Sequence, residues 1–197
     1  MNYWHMQLYP GHRRNDFPPE LVKEILLKKK CIGLGDWEGK KDQVGPFIDE
    51  MENGDIVLIR DGEIPIALVQ ITGEHKYTKN VTLNFDWFEN RRQVEVLDFY
   101  EGDEVFPQTR GTLQILRDNN TASWIFIDRW YNEIKGKIKM KEIIELLKAN
   151  KNLILTGAPG TGKTYLAKEI AESIVKENSA SGQTPIKILK NAIDNYK

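Results

Sequence analysis

Eight consecutive residues, Gly157-Ala158-Pro159-Gly160-Thr161-Gly162-Lys163-Thr164, carry the spacing G-x-x-x-x-G-K-[ST], and each residue type in it has a chemical reason. Glycine lets the backbone turn its N–H groups onto phosphate oxygens without a Cβ in the way. The Lys163 ammonium is a compact cation for β- and γ-phosphates, and the Thr164 hydroxyl can ligate Mg²⁺. A helix begun there aims the positive end of its dipole at the same anion. The flanks agree: Leu153 to Thr156 reads as a buried-type strand, and helical spacing runs from Lys163 to about Lys176. The pattern predicts a site for ATP or GTP with Mg²⁺.

Hydrolysis asks for more, namely a second strand ending in an acid that holds Mg²⁺, and often an arginine. No apolar strand ending in Asp or Glu follows Thr164, and no arginine follows Arg129. Ile186-Lys187-Ile188-Leu189 is broken by lysine, and Asp194 falls in a helical pattern. One strand and two helices cannot close a doubly wound sheet. The expectation is therefore a truncated or remnant motor segment with no catalytic residue of its own and no hydrolysis by this chain.

A second constellation is aromatic. Stacking on aromatic rings suits any extruded base, because every base has a π-face, and it contributes about 1 to 3 kcal/mol. Trp37 lies in a polar, glycine-flanked turn (GLGDWEGKK) where a core tryptophan is unexpected, so pocket wall comes ahead of packing. Trp87 follows Asn84 and Asp86, which could bond a base edge, and stays open between pocket and core. Trp4 opens a strand and is read as core first, pocket second; Tyr77 and Phe85 are weaker wall candidates, each more often packing. Trp124 and Trp130 share a helical apolar stripe and belong to the core. Lys40, Lys41, Lys76, Lys79, Arg91 and Arg92 stand in the neighbouring loops, either as a solvated surface or as contacts to the flanking phosphates.

Elements to position these groups can be read from periodicity. Tyr3 to Tyr9 predicts a strand stopped by Pro10-Gly11. A helix follows, capped by Asp16, with Pro18 and Pro19 in its first turn and Lys28, Lys29 and Lys30 at its C-terminal end. Cys31 to Leu34 is a short strand and Pro46 to Met51 a short helix. Asp55–Arg60 and Ile66–Thr72 form a hairpin around Asp61 to Pro65, and Val81–Phe88 and Gln93–Phe99 are two more strands. Thr112–Leu116 and Trp124–Ile134 read as helical. Lys135 to Lys139 reads as a basic, glycine-containing linker, and Met140 to Ala149 as an amphipathic helix. The fold expected is α+β: a small mixed barrel with helices over 1–135, a linker at 136–139, and an incomplete α/β P-loop segment over 140–197.

Composition narrows the classes. Of 197 residues, 40% are hydrophobic and 29% charged, which is ordinary globular usage. No apolar run approaches the roughly 18 residues of a membrane span. The N-terminus lacks a secretory pattern, and one cysteine, Cys31, with three scattered histidines supports neither a disulfide scaffold nor a zinc finger. A reducing, cytoplasmic setting without membrane is expected. The net charge of -1 conceals a division: residues 1–135 hold 17 basic against 23 acidic side chains, and 136–197 hold 11 against 6. An acidic N-terminal part argues against a salt-driven, non-specific nucleic-acid binder, though not against a small basic groove.

Two resemblances join these pieces. Residues 140–176, with their helix, strand, GAPGTGKT loop and apolar helix, resemble the opening of AAA+ modules. Residues 2–133 resemble an EVE domain of the PUA-like superfamily through Tyr3-Trp4-His5-Met6, Asp36-Trp37-Glu38-Gly39, Met51 to Leu58, Ala67 to Ile71, Asn84-Phe85-Asp86-Trp87 and Thr109 to Leu113, in that order. Such domains are linked to modified bases in DNA or RNA, which makes Trp37, Trp87, Trp4, Asn84, Asp86, Phe85 and Tyr77 the pocket candidates. The family's Asn-Tyr-Gln-Ala-Arg-Asn-like stretch is replaced here by Lys40 to Gly45. The combined order resembles the front of an McrB-type subunit of a modification-dependent restriction system. That resemblance implies modified DNA as ligand (with RNA the alternative), a separate nuclease partner, and a ring only when the motor module is complete. An NTPase with a mere adaptor at its N-terminus is the competing class.

Overall fold

The computed structural model describes residues 1–8, 19–36, 41–78, 89–107 and 111–180. The chain divides into two compact units, Met1–Ile134 and Lys135–Lys197. The first is mixed α+β, built on a curled, half-barrel sheet. Its strands are β1 (Tyr3–Gln7), β2 (Cys31–Leu34), β3 (Ile56–Asp61), β4 (Ile64–Ile71), β5 (Lys76–Tyr77), β6 (Asn90–Phe99) and β7 (Leu113–Leu116). Their order is β2-β6-β4-β3-β1-β7, with β5 on β6, and the β1–β3 pair alone is parallel among the described strands. The helices are α1 (Pro19–Lys29), α2 (Lys41–Asp49), α3 (Ala122–Asn150) and α4 (Lys163–Ala180).

Strand alternation gives the sheet two buried faces. Trp4, Met6, Val57, Ile59, Ala67 and Val69 point to one, where Val22 and Leu26 of α1 and Phe47 of α2 close the core. Tyr3, Ile56, Leu58 and Leu68 point to the other, against Phe126, Ile127, Trp130 and Ile134. Those four recur at helical spacing, so a single stripe of α3 covers that face. Thr121 caps α3 by accepting the Trp124 N–H at 3.3 Å.

β6 is the strand that shapes the site. Its second half, Val94–Phe99, pairs with β4, while its first half, Asn90–Gln93, pairs with β2 on one edge and β5 on the other. A register shift between Leu68 and Val69 accompanies the bend, as a bulge increases local twist.

Several expected elements differ. Thr112–Leu116 is not helical: Leu113–Leu116 is β7, antiparallel to β1, and Gln7 N–H donates to the Thr112 carbonyl at 2.7 Å. Four residues are too few to show a helical period, and β1 would otherwise present an unpaired edge. The hairpin turn is Gly62-Glu63, with Gly62 at φ 59°, so Ile64 and Pro65 belong to β4. Pro65 is accommodated because the register shifts between Ile59 and Arg60, its partner. α2 starts at Lys41 rather than Pro46, with Pro46 inside it and Phe47 fully buried as its anchor. The expected linker at 136–139 lies inside α3. Lysine and isoleucine continue a helix readily, and the one glycine, Gly136, costs only about 1 kcal/mol there. α3 ends at Lys151, whose φ of 58° closes the last turn. The Asp16 cap, Pro18 and the Val81–Phe88 strand lie outside the described residues. No described helix is long and apolar enough to cross a membrane.

Candidate nucleic-acid corner and nucleotide loop

Where β2 ends and β5 and β6 begin their pairing, one row of residues crosses three strands: Leu34, Asn90 and Tyr77. The chain continues from β2 into Asp36, whose N–H donates to the Glu89 carboxylate at 2.9 Å. The Tyr77 hydroxyl donates to Asp36 Oδ2 at 2.8 Å, and Thr78 N–H donates to the Glu89 carbonyl at 2.9 Å. The bond to Asp36, with the Asp36 and Glu89 charges behind it, holds the Tyr77 phenol above its usual pKa. Beneath this surface Asn90, itself buried, meets His75 Nε2 at 2.9 Å, and the His75 ring stands edge-on to Phe47.

The described candidates sort as follows. Tyr77 stands half-exposed at this corner. Arg91 is the cross-strand partner of both Gly33 and Lys76, so two basic residues stand in register. Arg92 is not a phosphate contact. It is 3% exposed, donating Nε to the Phe47 carbonyl at 2.9 Å and Nη2 to the Ile48 carbonyl at 2.8 Å. Its Nη1 lies 3.4 Å from the Gly73 carbonyl, and the guanidinium lies over the Phe47 ring. It therefore ties the C-terminal end of α2 to β6, because residues alternate along a strand and its side is the core side. Burial lowers its pKa. Trp4 is wholly buried and gives its indole N–H to Asp55 Oδ2 at 2.8 Å, which settles it as core rather than pocket wall. Trp37, Asn84, Phe85, Asp86, Trp87, Lys40 and Lys79 lie outside the described residues, as does the side chain of Lys41. Trp124 and Trp130 belong to the α3 core, as expected, and Trp130 donates to Asp98 at 3.0 Å.

Two buried polar centres had no place among the expected site residues. Asp55 accepts the N–H groups of Asn2 at 2.7 Å and Glu52 at 3.1 Å besides the Trp4 indole, so a carboxylate with no exposed surface organises the start of β1 and β3. On the opposite face, Arg60 Nε donates to His5 Nδ1 at 3.2 Å while its other nitrogens reach the Gly62 and Gly111 carbonyls at 2.6 and 3.0 Å. Phe106 lies against both side chains. Burial, followed by the Arg60 charge, drives the His5 pKa down to about 3, so the imidazole is a neutral acceptor. A histidine inside an apolar strand was the one available signal. Only the parallel β1–β3 register, with His5 opposite Leu58 and Gln7 opposite Arg60, brings the pair within reach.

The second unit carries the phosphate loop. Residues 152–158 form no strand, and Ile154 is 84% exposed. This corrects the expected Leu153–Thr156 strand: a strand exists only with a ladder partner, and no described segment supplies one. The loop itself has the needed backbone. Gly157, Gly160 and Gly162 sit at φ 143°, 81° and 75°, and no atom lies within 4 Å of where a Cβ would project at Gly160 and Gly162. Lys163 Nζ donates to the carbonyls of Gly157 at 2.8 Å and Ala158 at 2.5 Å and to Thr161 Oγ1 at 3.2 Å. These exposed acceptors are ones that phosphate oxygens can replace, so the residues present fit a nucleotide phosphate. Lys163 also opens α4, and Thr164 is solvent-exposed in its first turn.

The loop and the helix it opens define an NTPase-like region. The model of the family described as "Novel STAND NTPase 3" matches residues 137–197; that description names neither AAA+ nor McrB. No curated protein matches the chain.

Proposed function

We propose that residues 1–134 form a reader of a modified base in DNA, of EVE or PUA-like kind, joined to a P-loop segment that binds ATP or GTP with Mg²⁺. The system it would serve is modification-dependent restriction of the McrB type, with cutting left to a separate nuclease. The observation that carries the reader is the corner itself. Asp36 and Glu89 adjoin the sequence segments that hold Trp37 and Trp87, and they are hydrogen-bonded to each other beside Tyr77. Lys76 and Arg91 stand in register on the neighbouring strands. Aromatic groups for stacking and cations for flanking phosphates are the two requirements of base extrusion. The nucleotide site is supported by the positive-φ glycines, the placement of Lys163 and the family match over 137–197. Thr164 would hold the metal and Lys163 the β- and γ-phosphates.

The test is fluorescence anisotropy of the whole chain on matched duplexes carrying cytosine, 5-methylcytosine, 5-hydroxymethylcytosine, adenine or N6-methyladenine at fixed salt. The expected result is a preference of tenfold or more for one modified duplex, about 1.4 kcal/mol. Equal, weak binding to all of them refutes the DNA reader. Tighter binding to modified single-stranded RNA would move the reading to that ligand, and no nucleic-acid binding at all would leave an adaptor on a nucleotide-binding segment.

A further inference from the structure

The Lys163 ammonium has three N–H donors, and three acceptors of its own loop engage them: the Gly157 carbonyl at 2.8 Å, the Ala158 carbonyl at 2.5 Å and Thr161 Oγ1 at 3.2 Å. A phosphate oxygen therefore reaches the ammonium by displacing one of the three. They are not equal. The two carbonyls are the nearer, and they move only with the backbone, which at Gly157 stands at φ 143°. Thr161 Oγ1 is the farthest, is a hydroxyl oxygen, and alone among them belongs to a side chain. Its one proton goes to the Ala158 carbonyl, 2.9 Å away, so it meets Lys163 purely as an acceptor. Both side chains lie on the same side of the loop, over Gly157. A Cβ added there would sit 3.3 Å from Thr161 Oγ1 and 3.9 Å from Lys163 Nζ.

We infer that Thr161 is a positioning residue for nucleotide binding: it holds the Lys163 ammonium within the loop, and its hydroxyl is the acceptor that an incoming phosphate oxygen replaces while both carbonyl bonds stay. This deepens the nucleotide-site reading and rests on it. An ionised oxygen is a better partner for an ammonium than a neutral hydroxyl, so the exchange runs toward phosphate. The bond given up to Thr161 subtracts from the gain, and Thr161 thereby sets the affinity through Lys163. Its bond to Ala158 is untouched by the exchange, so the turn keeps its shape. A competitor and a ligand have opposite signatures. Removing a hydroxyl that binds phosphate weakens binding, whereas removing one that competes with phosphate tightens it.

The test uses the full chain carrying Thr161→Val or Thr161→Ser, each alone and combined with Lys163→Ala. Each is titrated with methylanthraniloyl-labelled ATP and GTP in Mg²⁺, and its thermal midpoint is recorded. Valine keeps the shape of threonine without the acceptor. Thr161→Val is expected to lower Kd about twofold to fivefold, the effect of one neutral, exposed hydrogen bond. Thr161→Ser, which restores the acceptor, should keep the wild-type Kd. In the Lys163→Ala background Thr161→Val should change nothing, because the coupling needs both partners. Thr161→Ala also lacks the acceptor and carries the same expectation, and it decides the matter if valine disturbs the thermal midpoint. An unchanged Kd without the hydroxyl overturns the exchange, and a raised Kd overturns it by making Thr161 a phosphate ligand. Tightening that persists without Lys163 overturns it as well, since space rather than exchange would be the cause. Failure of the wild-type chain to bind either nucleotide appears before any variant is compared, and it removes the nucleotide-site reading itself.

Discussion

Replacing Arg92 by leucine separates the two roles a cation at this position could have. A surface contact to phosphate would be worth little to the fold. The structure instead buries Arg92 and places its Nε and Nη2 2.9 and 2.8 Å from the Phe47 and Ile48 carbonyls. Hydrogen bonds from a charged donor contribute roughly 1.5 to 3 kcal/mol each, so these two account for about 3 to 6 kcal/mol. The 3.4 Å approach to Gly73 adds little. Leucine would regain part of the apolar packing against Phe47, offsetting about 1 to 2 kcal/mol. The net expectation is a loss of about 1 to 5 kcal/mol. All five tryptophans lie within residues 1–134, so urea unfolding followed by tryptophan fluorescence reports on this unit in the intact chain. The midpoint should fall with the slope unchanged. Under the proposed reader function, the salt dependence of duplex binding should keep its slope, because no phosphate contact is lost. A variant stable to within 0.5 kcal/mol whose log–log salt slope shrinks by about 0.9 would refute this reasoning and return Arg92 to the phosphates.

Two further outcomes follow from the buried and exposed bonds. His5 has a folded pKa near 3 against an ordinary value near 6.5; the unfolded chain therefore binds the extra proton, and the stability His5 contributes is complete above pH 6.5 and drains as pH falls toward 3. The slope reaches at most about 1.4 kcal/mol per pH unit, and His5→Gln, scanned by urea midpoint from pH 4 to 7, should flatten it; an unchanged slope would show that other groups cause it. Lys163→Ala should weaken binding of a fluorescent ATP or GTP analogue at least tenfold while leaving thermal unfolding unaltered, since the bonds Lys163 makes within its own loop are exposed. Equal affinity in that variant would mean the loop binds no phosphate.

Local information in this sequence is legible without the fold. The phosphate loop was legible because glycine's freedom, a lysine and a hydroxyl at fixed offsets are properties of eight adjacent residues. The β3–β4 hairpin, the α1 stop at the lysines and the tryptophan stripe of α3 were legible because they rest on strand alternation, dipole complementarity and helical spacing. Leu113–Leu116 is a strand although its four residues suit either period, because the otherwise unpaired edge of β1 takes it as a partner. Leu153–Thr156 has the apolar character of a strand but finds no ladder partner among the described residues.

The roles of individual side chains divide the same way. Sequence alone determined that Lys163 and Thr164 belong to one loop and that the unit before residue 135 is acidic and rich in aromatics. Whether Arg92 faces water or the α2 carbonyls, whether Trp4 lines a pocket or serves Asp55, and that His5 accepts from Arg60 were decided by tertiary structure. The physical reason is register. Shifting a strand by one residue exchanges its two faces, and the pairings of β6 with β2 and of β1 with β3 join positions more than 50 residues apart, which no local pattern encodes.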